Sequence, residues 1–192
     1  SQYFPRETQR NCWLCHEPHM RRRRSMDART LDALTRDATG TPEKPSNRSD
    51  GPGTLPAAVV AGLLFSPERM EAEDVGTLGA QIVALTHGDP MAFLPGAAVT
   101  ELVIAALQEP KKDLEAQIEE AMAAFATRFD SQYHRYVSQV SNLVKMAQSM
   151  SRDPKISPVE AMEKLQCKTG AQVLAGVVYA LLAGGEDFDT SL

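Results

Sequence analysis

The chain has 192 residues, 43% of them hydrophobic and 23% charged, and a formal net charge of −5. That size and balance fit a single globular domain, residues 1–192, and the acidic excess argues against general nucleic-acid binding. No apolar run reaches the roughly 18–20 residues that cross a bilayer, so no membrane partner is expected. Ser1-Gln2-Tyr3-Phe4-Pro5 carries no apolar signal core and no initiator Met, which reads as processing or as excision from a longer chain. An odd count of three cysteines suits a reducing cytoplasm.

The first segment with chemical character is Asn11–Met20. Cys12-x-x-Cys15-His16 has the letters of a c-type haem attachment site, and Cys12, Cys15 and His19 offer three zinc ligands. A closed zinc site needs a fourth, from Cys167 or a distant His. The competing reading is a short helix on which both cysteines are small buried hydrophobes beside Trp13 and Leu14. Arg21–Arg24 is a basic run followed closely by Asp27 and Asp32, and reads as a solvated patch. Met26–Arg36 is expected to be helical, with Leu31 and Leu34 on one face.

Residues 37–56 form a loop rich in Pro, Gly, Ser and Asn, through which no regular element can run. Structureless loops of this length are usually functional or disordered. Gly51 and Gly53 can take positive φ and approach a ligand closely. The loop feeds an apolar helix, Ala57–Phe65, expected to be buried all round. A glycine-rich loop entering a helix start presents unpaired N–H groups and a positive dipole end, the chemistry that holds a pyrophosphate.

From there the chain reads as helix after helix. Ser66-Pro67 suits a helix start, and Glu71–Leu85 carries Val75, Leu78, Ile82 and Leu85 on one face, with Gly76 and Gly79 allowing close approach. Met91–Gln108 follows, then an amphipathic Asp113–Phe129, and then Gln132–Met150 with Tyr136, Val140, Leu143 and Met146 or Ala147 inward. Ser157 caps Pro158–Leu165. Ala171–Leu182 is apolar all round and ends at Gly184-Gly185. No strand alternation and no repeat is visible, so the fold class expected is all-α.

Several ordered motifs resemble the ADP-ribosylglycohydrolase family. Thr41, Pro42, Pro45, Asn47, Ser49, Gly51 and Gly53 match its T-P-x-x-P-x-N-x-S-x-G-x-G loop, and Leu85, Thr86, His87 and Pro90 match its L-T-H-x-x-P segment. Trp13, Leu14, Pro18, Arg22, Arg23, Leu31, Ala33 and Leu34 are similar to the approach to that loop. Thr169-Gly170 and Ala175–Leu182 are similar to a later helix. The resemblance implies an all-α domain whose parent activity is hydrolysis of the glycosidic bond between ADP-ribose and a protein side chain. It implies substrate contacts from Asn47, Arg48, Ser49, Asp50, Gly51, Pro52, Gly53 and His87, and ADP-ribose or an ADP-ribosylated protein as partner. It also implies two Mg²⁺ ions, which need clustered carboxylates.

The chain departs from the pattern. The family's N-terminal and C-terminal metal motifs have no match here. Asp187-Phe188-Asp189-Thr190 has the letters D-x-D-T, but by spacing it continues directly from the last helix and reads as a helix start with acidic first-turn residues. Pro56-Ala57 stands where the family has Met-Arg, Pro52 lacks an N–H, and Ala171 is small. The expectation is therefore an incomplete family domain, a truncated or degenerate form inactive as this chain. The alternatives are a non-catalytic ADP-ribose or protein-interaction module and, below that, a zinc or haem protein built on Cys12, Cys15 and His16. Apolar faces left bare by truncation would favour self-association.

Overall fold

The computed structural model describes residues 27–35, 39–64 and 72–185. Seven helices follow one another there: α1 (Ala28–Thr35), α2 (Leu55–Leu63), α3 (Ala72–Ala84), α4 (Pro90–Gln108), α5 (Leu114–Ser151), α6 (Pro158–Leu165) and α7 (Gly170–Gly184). No strand occurs among the described residues, as the absence of period-two alternation implies.

Helix α4 is the centre. Asp89 caps it by accepting from the Met91 N–H at 2.8 Å, and Pro90 supplies a preset φ at its first turn. Its faces pack against α2, α3, α5 and α7. By length and composition alone α4 could cross a membrane, contrary to the expectation that no run reaches that length. Its burial, including that of Thr100 and Glu101, is instead that of a core helix wrapped by its neighbours.

Glycines set how closely α3 meets α4. A Cβ on Gly79 would lie 2.7 Å from the Gly96 carbonyl oxygen and would overlap Thr100. Thr100 then donates its hydroxyl to the carbonyls of Ala58 at 2.9 Å and Gly96 at 3.0 Å, tying α2 to α4. The main apolar core lies between α4, α5 and α7, with Phe93, Leu94, Ile118, Phe125, Val140 and Leu174 fully buried.

Two expectations change and two are sharpened. The two helices expected at 113–129 and 132–150 follow each other without a loop as α5, and the junction between them is a kink at Tyr133 (φ −127°, ψ 30°). There Tyr133 meets Phe93 edge-on at 5.5 Å, and Phe129 stands 6.5 Å away. Helix α2 is not buried all round: Val60 and Leu63 are 53% and 58% exposed, because only one of its faces packs on α3 and α4. On α1 the buried residue is Ala33, while Leu34 is exposed. Of the two residues offered at the end of α5, Met146 and Ala147, it is Ala147 that turns inward. The expected helix start at Ser66-Pro67 lies outside the described residues.

Candidate functional site

The loop between α1 and α2 is irregular but tied down along its length. Gly40 N–H donates to the Leu85 carbonyl at 3.1 Å. The Asn47 side chain donates to the Thr86 carbonyl at 2.9 Å and accepts from the N–H groups of Ser49 at 2.9 Å and Gly88 at 3.2 Å. Short amide side chains favour such turns. Gly88 must be glycine, since a Cβ there would overlap the Asn47 carbonyl oxygen. Farther on, the Ser49 carbonyl accepts from Asp89 N–H at 3.2 Å, and the Asp50 carbonyl accepts from Gly170 N–H at 2.8 Å.

These bonds lay the loop across the starts of three helices. It runs into α2, its Ser49 is bonded to the cap of α4, and its Asp50 is bonded to the first residue of α7. The starts of α4 and α7 carry side-chain caps, Asp89 and the Thr169–Gln172 capping box. The start of α2 has none, and its Leu55 and Ala57 N–H groups close turns onto Pro52 and Thr54. Among the described residues no acceptor is bonded to the N–H groups of Asp50, Gly51 or Gly53. Three positive dipole ends and three free donors therefore meet on one loop.

Beneath the loop lies His87, fully buried. Its Nδ1 is 2.9 Å from the Thr86 hydroxyl and 3.1 Å from the Thr54 hydroxyl, which also meet each other. Thr54 in turn meets the Thr30 hydroxyl at 3.1 Å. On the other side of the ring, Nε2 faces Asp27 Oδ2 at 3.3 Å. That contact is too far off line to count as a formed hydrogen bond, so the buried Nε2 has the field of the carboxylate beside it but no directed bond. Burial pushes the His87 pKa below its ordinary value and outweighs the upward pull of Asp27. Burial pushes Asp27 upward, but the Thr30 N–H, donating at 2.8 Å, and the nearby imidazole together hold it below the usual carboxylate value.

Of the residues singled out from sequence, Asn47, Ser49, Gly51, Gly53 and His87 come together here. Gly51 lies over the imidazole, where an added Cβ would be 3.7 Å from Cδ2 and Nε2. The Arg48 and Asp50 side chains are exposed, and Pro52 opens the turn into α2. The expected positive φ is absent at both loop glycines; among the described residues Gly185 alone among glycines adopts one. Gly53 is required for a different reason: a Cβ would stand 2.5 Å from Asp27 Cβ and Cγ. Asp27, Thr30 and Thr54 were not identified from sequence as part of the site. The spacing Asp27-x-x-Thr30 just ahead of an apolar position is a helix-cap signal, which places α1 but does not reveal what Asp27 faces.

Cys12, Cys15, His16, His19, Arg21–Arg24, Asp187 and Asp189 lie outside the described residues. Cys167 is a half-buried thiol 3.9 Å from Met162 Sδ, and burial raises its pKa. A groove of about 940 Å³ between α6 and α7, lined by Met162, Cys167 and Tyr179, shares no residue with the loop. Its walls are largely apolar and suit a diphosphate poorly.

The Mg²⁺ pair implied by the resemblance calls for several carboxylate oxygens in one place. Among the described residues no three His, Cys, Asp or Glu side chains gather in that way. The carboxylate beside the imidazole, Asp27, is already engaged by Thr30 and His87. The described donor set does not fit two Mg²⁺ ions.

The family model of the ADP-ribosylglycohydrolases matches residues 5–192. No curated protein and no solved structure matches the chain. With the match spanning the tethered loop, the Leu85–Pro90 corner and the helical body, this all-α chain belongs to the ADP-ribosylglycohydrolase family, whose members act on ADP-ribosylated substrates and generally depend on a metal.

Proposed function

We propose that the chain binds ADP-ribose, free or attached to protein, through the loop from Asn47 to Gly53, and that it recognises this group without hydrolysing it. The observation that carries the reading is the set of N–H groups at Asp50, Gly51 and Gly53 that have no acceptor among the described residues and lie where the starts of α2, α4 and α7 meet. A diphosphate would accept from those donors and lie at the positive ends of the helices. Asn47 and Gly88 hold the loop in that shape, and His87 supports Gly51 from below.

The parent reaction, hydrolysis at the ribose C1″ position, needs an activated water. The described side chains offer no carboxylate cluster that would activate it, which favours recognition over turnover. Calorimetric titration of ADP-ribose into the full chain, with and without Mg²⁺, tests both halves. Binding that is indifferent to Mg²⁺, with no ADP-ribose released from an ADP-ribosylated protein, is the expected result. Binding that strengthens with Mg²⁺, or release of ADP-ribose, would replace recognition by catalysis. An absence of heat in either condition would remove the loop reading altogether.

A further inference from the structure

The loop does not rest on His87 alone. The imidazole sits between a carboxylate and a hydroxyl chain, and the set is drawn from three parts of the fold: Asp27 and Thr30 from the start of α1, Thr54 from the entry to α2, and Thr86 from the corner after α3. The ring is sealed from solvent, so only these neighbours decide where its proton sits. Two neutral tautomers are available. With the proton on Nδ1, the electron-rich Nε2 would face the Asp27 carboxylate at 3.3 Å, and the two would repel even off the line of a directed bond. With the proton on Nε2, the positive end of the N–H lies on the Asp27 side of the ring and is attracted to the carboxylate, although it is not aimed along a hydrogen-bond line. Nδ1 is then a lone pair that accepts from one of the Thr54 and Thr86 hydroxyls, while the other donates to its fellow hydroxyl.

Asp27 also touches the loop itself. Its Cβ and Cγ occupy the space in which a side chain on Gly53 would lie, so the carboxylate spans from Gly53 to the imidazole under Gly51. Resting on the loop reading given above, we propose that Asp27 is the positioning residue of the ligand loop: seated on Gly53 and facing Nε2, it fixes His87 as the Nε2–H tautomer and so holds Thr54, Thr86 and the loop in their binding geometry.

The charged groups that act on the ring are Asp27 and Arg29 from α1 and Asp50 from the loop, with Asp27 dominant among them. Removing the Asp27 charge withdraws its support for the protonated imidazole, so His87 should protonate at a still lower pH. The Asn variant isolates this effect. Asn is as good a helix cap as Asp and has nearly the same shape, so α1 and the Gly53 contact are kept while the charge is lost.

The test is nitrogen-15 NMR of the histidine rings in the full chain, with the His87 signals assigned by their loss in His87→Gln. In the wild-type chain at neutral pH the pattern should be that of a single Nε2–H tautomer. In Asp27→Asn the ring should titrate at lower pH, and in Asp27→Ala the tautomer preference should weaken. ADP-ribose affinity should fall about tenfold in Asp27→Ala and be partly restored in Asp27→Asn. An Nδ1–H pattern in the wild type, or an identical titration in Asp27→Asn, would overturn the assignment, because a purely structural Asp27 would leave the ring unmoved. Equal ADP-ribose affinity in wild type and Asp27→Ala would overturn it as well. If the ring behaves as expected but the wild-type chain binds no ADP-ribose, the tautomer control stands and the ligand assignment of the loop fails.

Discussion

A buried imidazole makes stability depend on pH in a direction that can be worked out. The unfolded chain protonates His87 near its ordinary value of 6.5, whereas the folded chain resists because the ring is desolvated. Below that pH the unfolded state binds more protons, so stability falls on acidification until the lowered folded value is reached. Asp27 acts at lower pH: its carboxyl, held below 3.8, contributes stability above that value and loses it as pH drops through the folded one. Melting temperature measured between about pH 7 and 5 should therefore decline in the wild type and decline less steeply in His87→Gln. Two further substitutions read the loop directly. Gly53→Ala pushes a methyl group into Asp27, and a loss of about 1–3 kcal/mol is expected, or a drop of several degrees in thermal melting. Asn47→Ala leaves the Ser49 and Gly88 N–H groups without their acceptor and the Thr86 carbonyl without its donor, at a cost of about 1–3 kcal/mol. Hydrogen exchange at Ser49 and Gly88 should speed up first.

Helices are where the sequence speaks most clearly, and the reasons it falls silent are specific. Replacing Thr169 by Ala removes the hydroxyl that accepts from Gln172 N–H at 3.3 Å, and should cost about 1 kcal/mol by chemical denaturation. Local signals of that kind, a cap, a proline at the first turn, a terminal glycine, are legible because they act within a few residues. They place α6 within its expected bounds and α4 and α7 close to theirs. What a helix packs against is not local. The apolar stretch of α2 is compatible with full burial, and only the arrangement of α3 and α4 leaves Val60 and Leu63 outside. A break near residue 130 is legible in the sequence, but not that the two helices join without a loop at Tyr133, whose ring meets Phe93 of α4. At the site, the loop and His87 were legible as motif letters. Asp27 was not, because it reaches them only through the folded chain.

At the scale of the described molecule, a buried ion pair joins two helices of the core. Arg128 of α5 meets Glu101 of α4 at 2.9 Å, with the two side chains 16% and 6% exposed. Gly76 of α3 leaves the room they occupy. Burial pushes the Glu101 pKa up, and Arg128 opposes the shift. Arg128→Met should thus cost about 3–5 kcal/mol, by stranding a carboxylate in the interior, whereas Glu101→Leu combined with Arg128→Met should recover much of the loss. Urea denaturation of the single and double variants decides it. The bond from Gly170 to the Asp50 carbonyl carries a different consequence. It joins the first third of the chain to its last helix, and the Ser49 bond spans to the start of α4. Neither acceptor has its donor in place until α4 and α7 have docked. Contacts between distant parts of a chain form late, since closing the intervening loop costs entropy before it returns any contact. In a refolding time course the Asn47–Gly53 loop should therefore be the final part to become resistant to a protease, after most of the helical signal has returned.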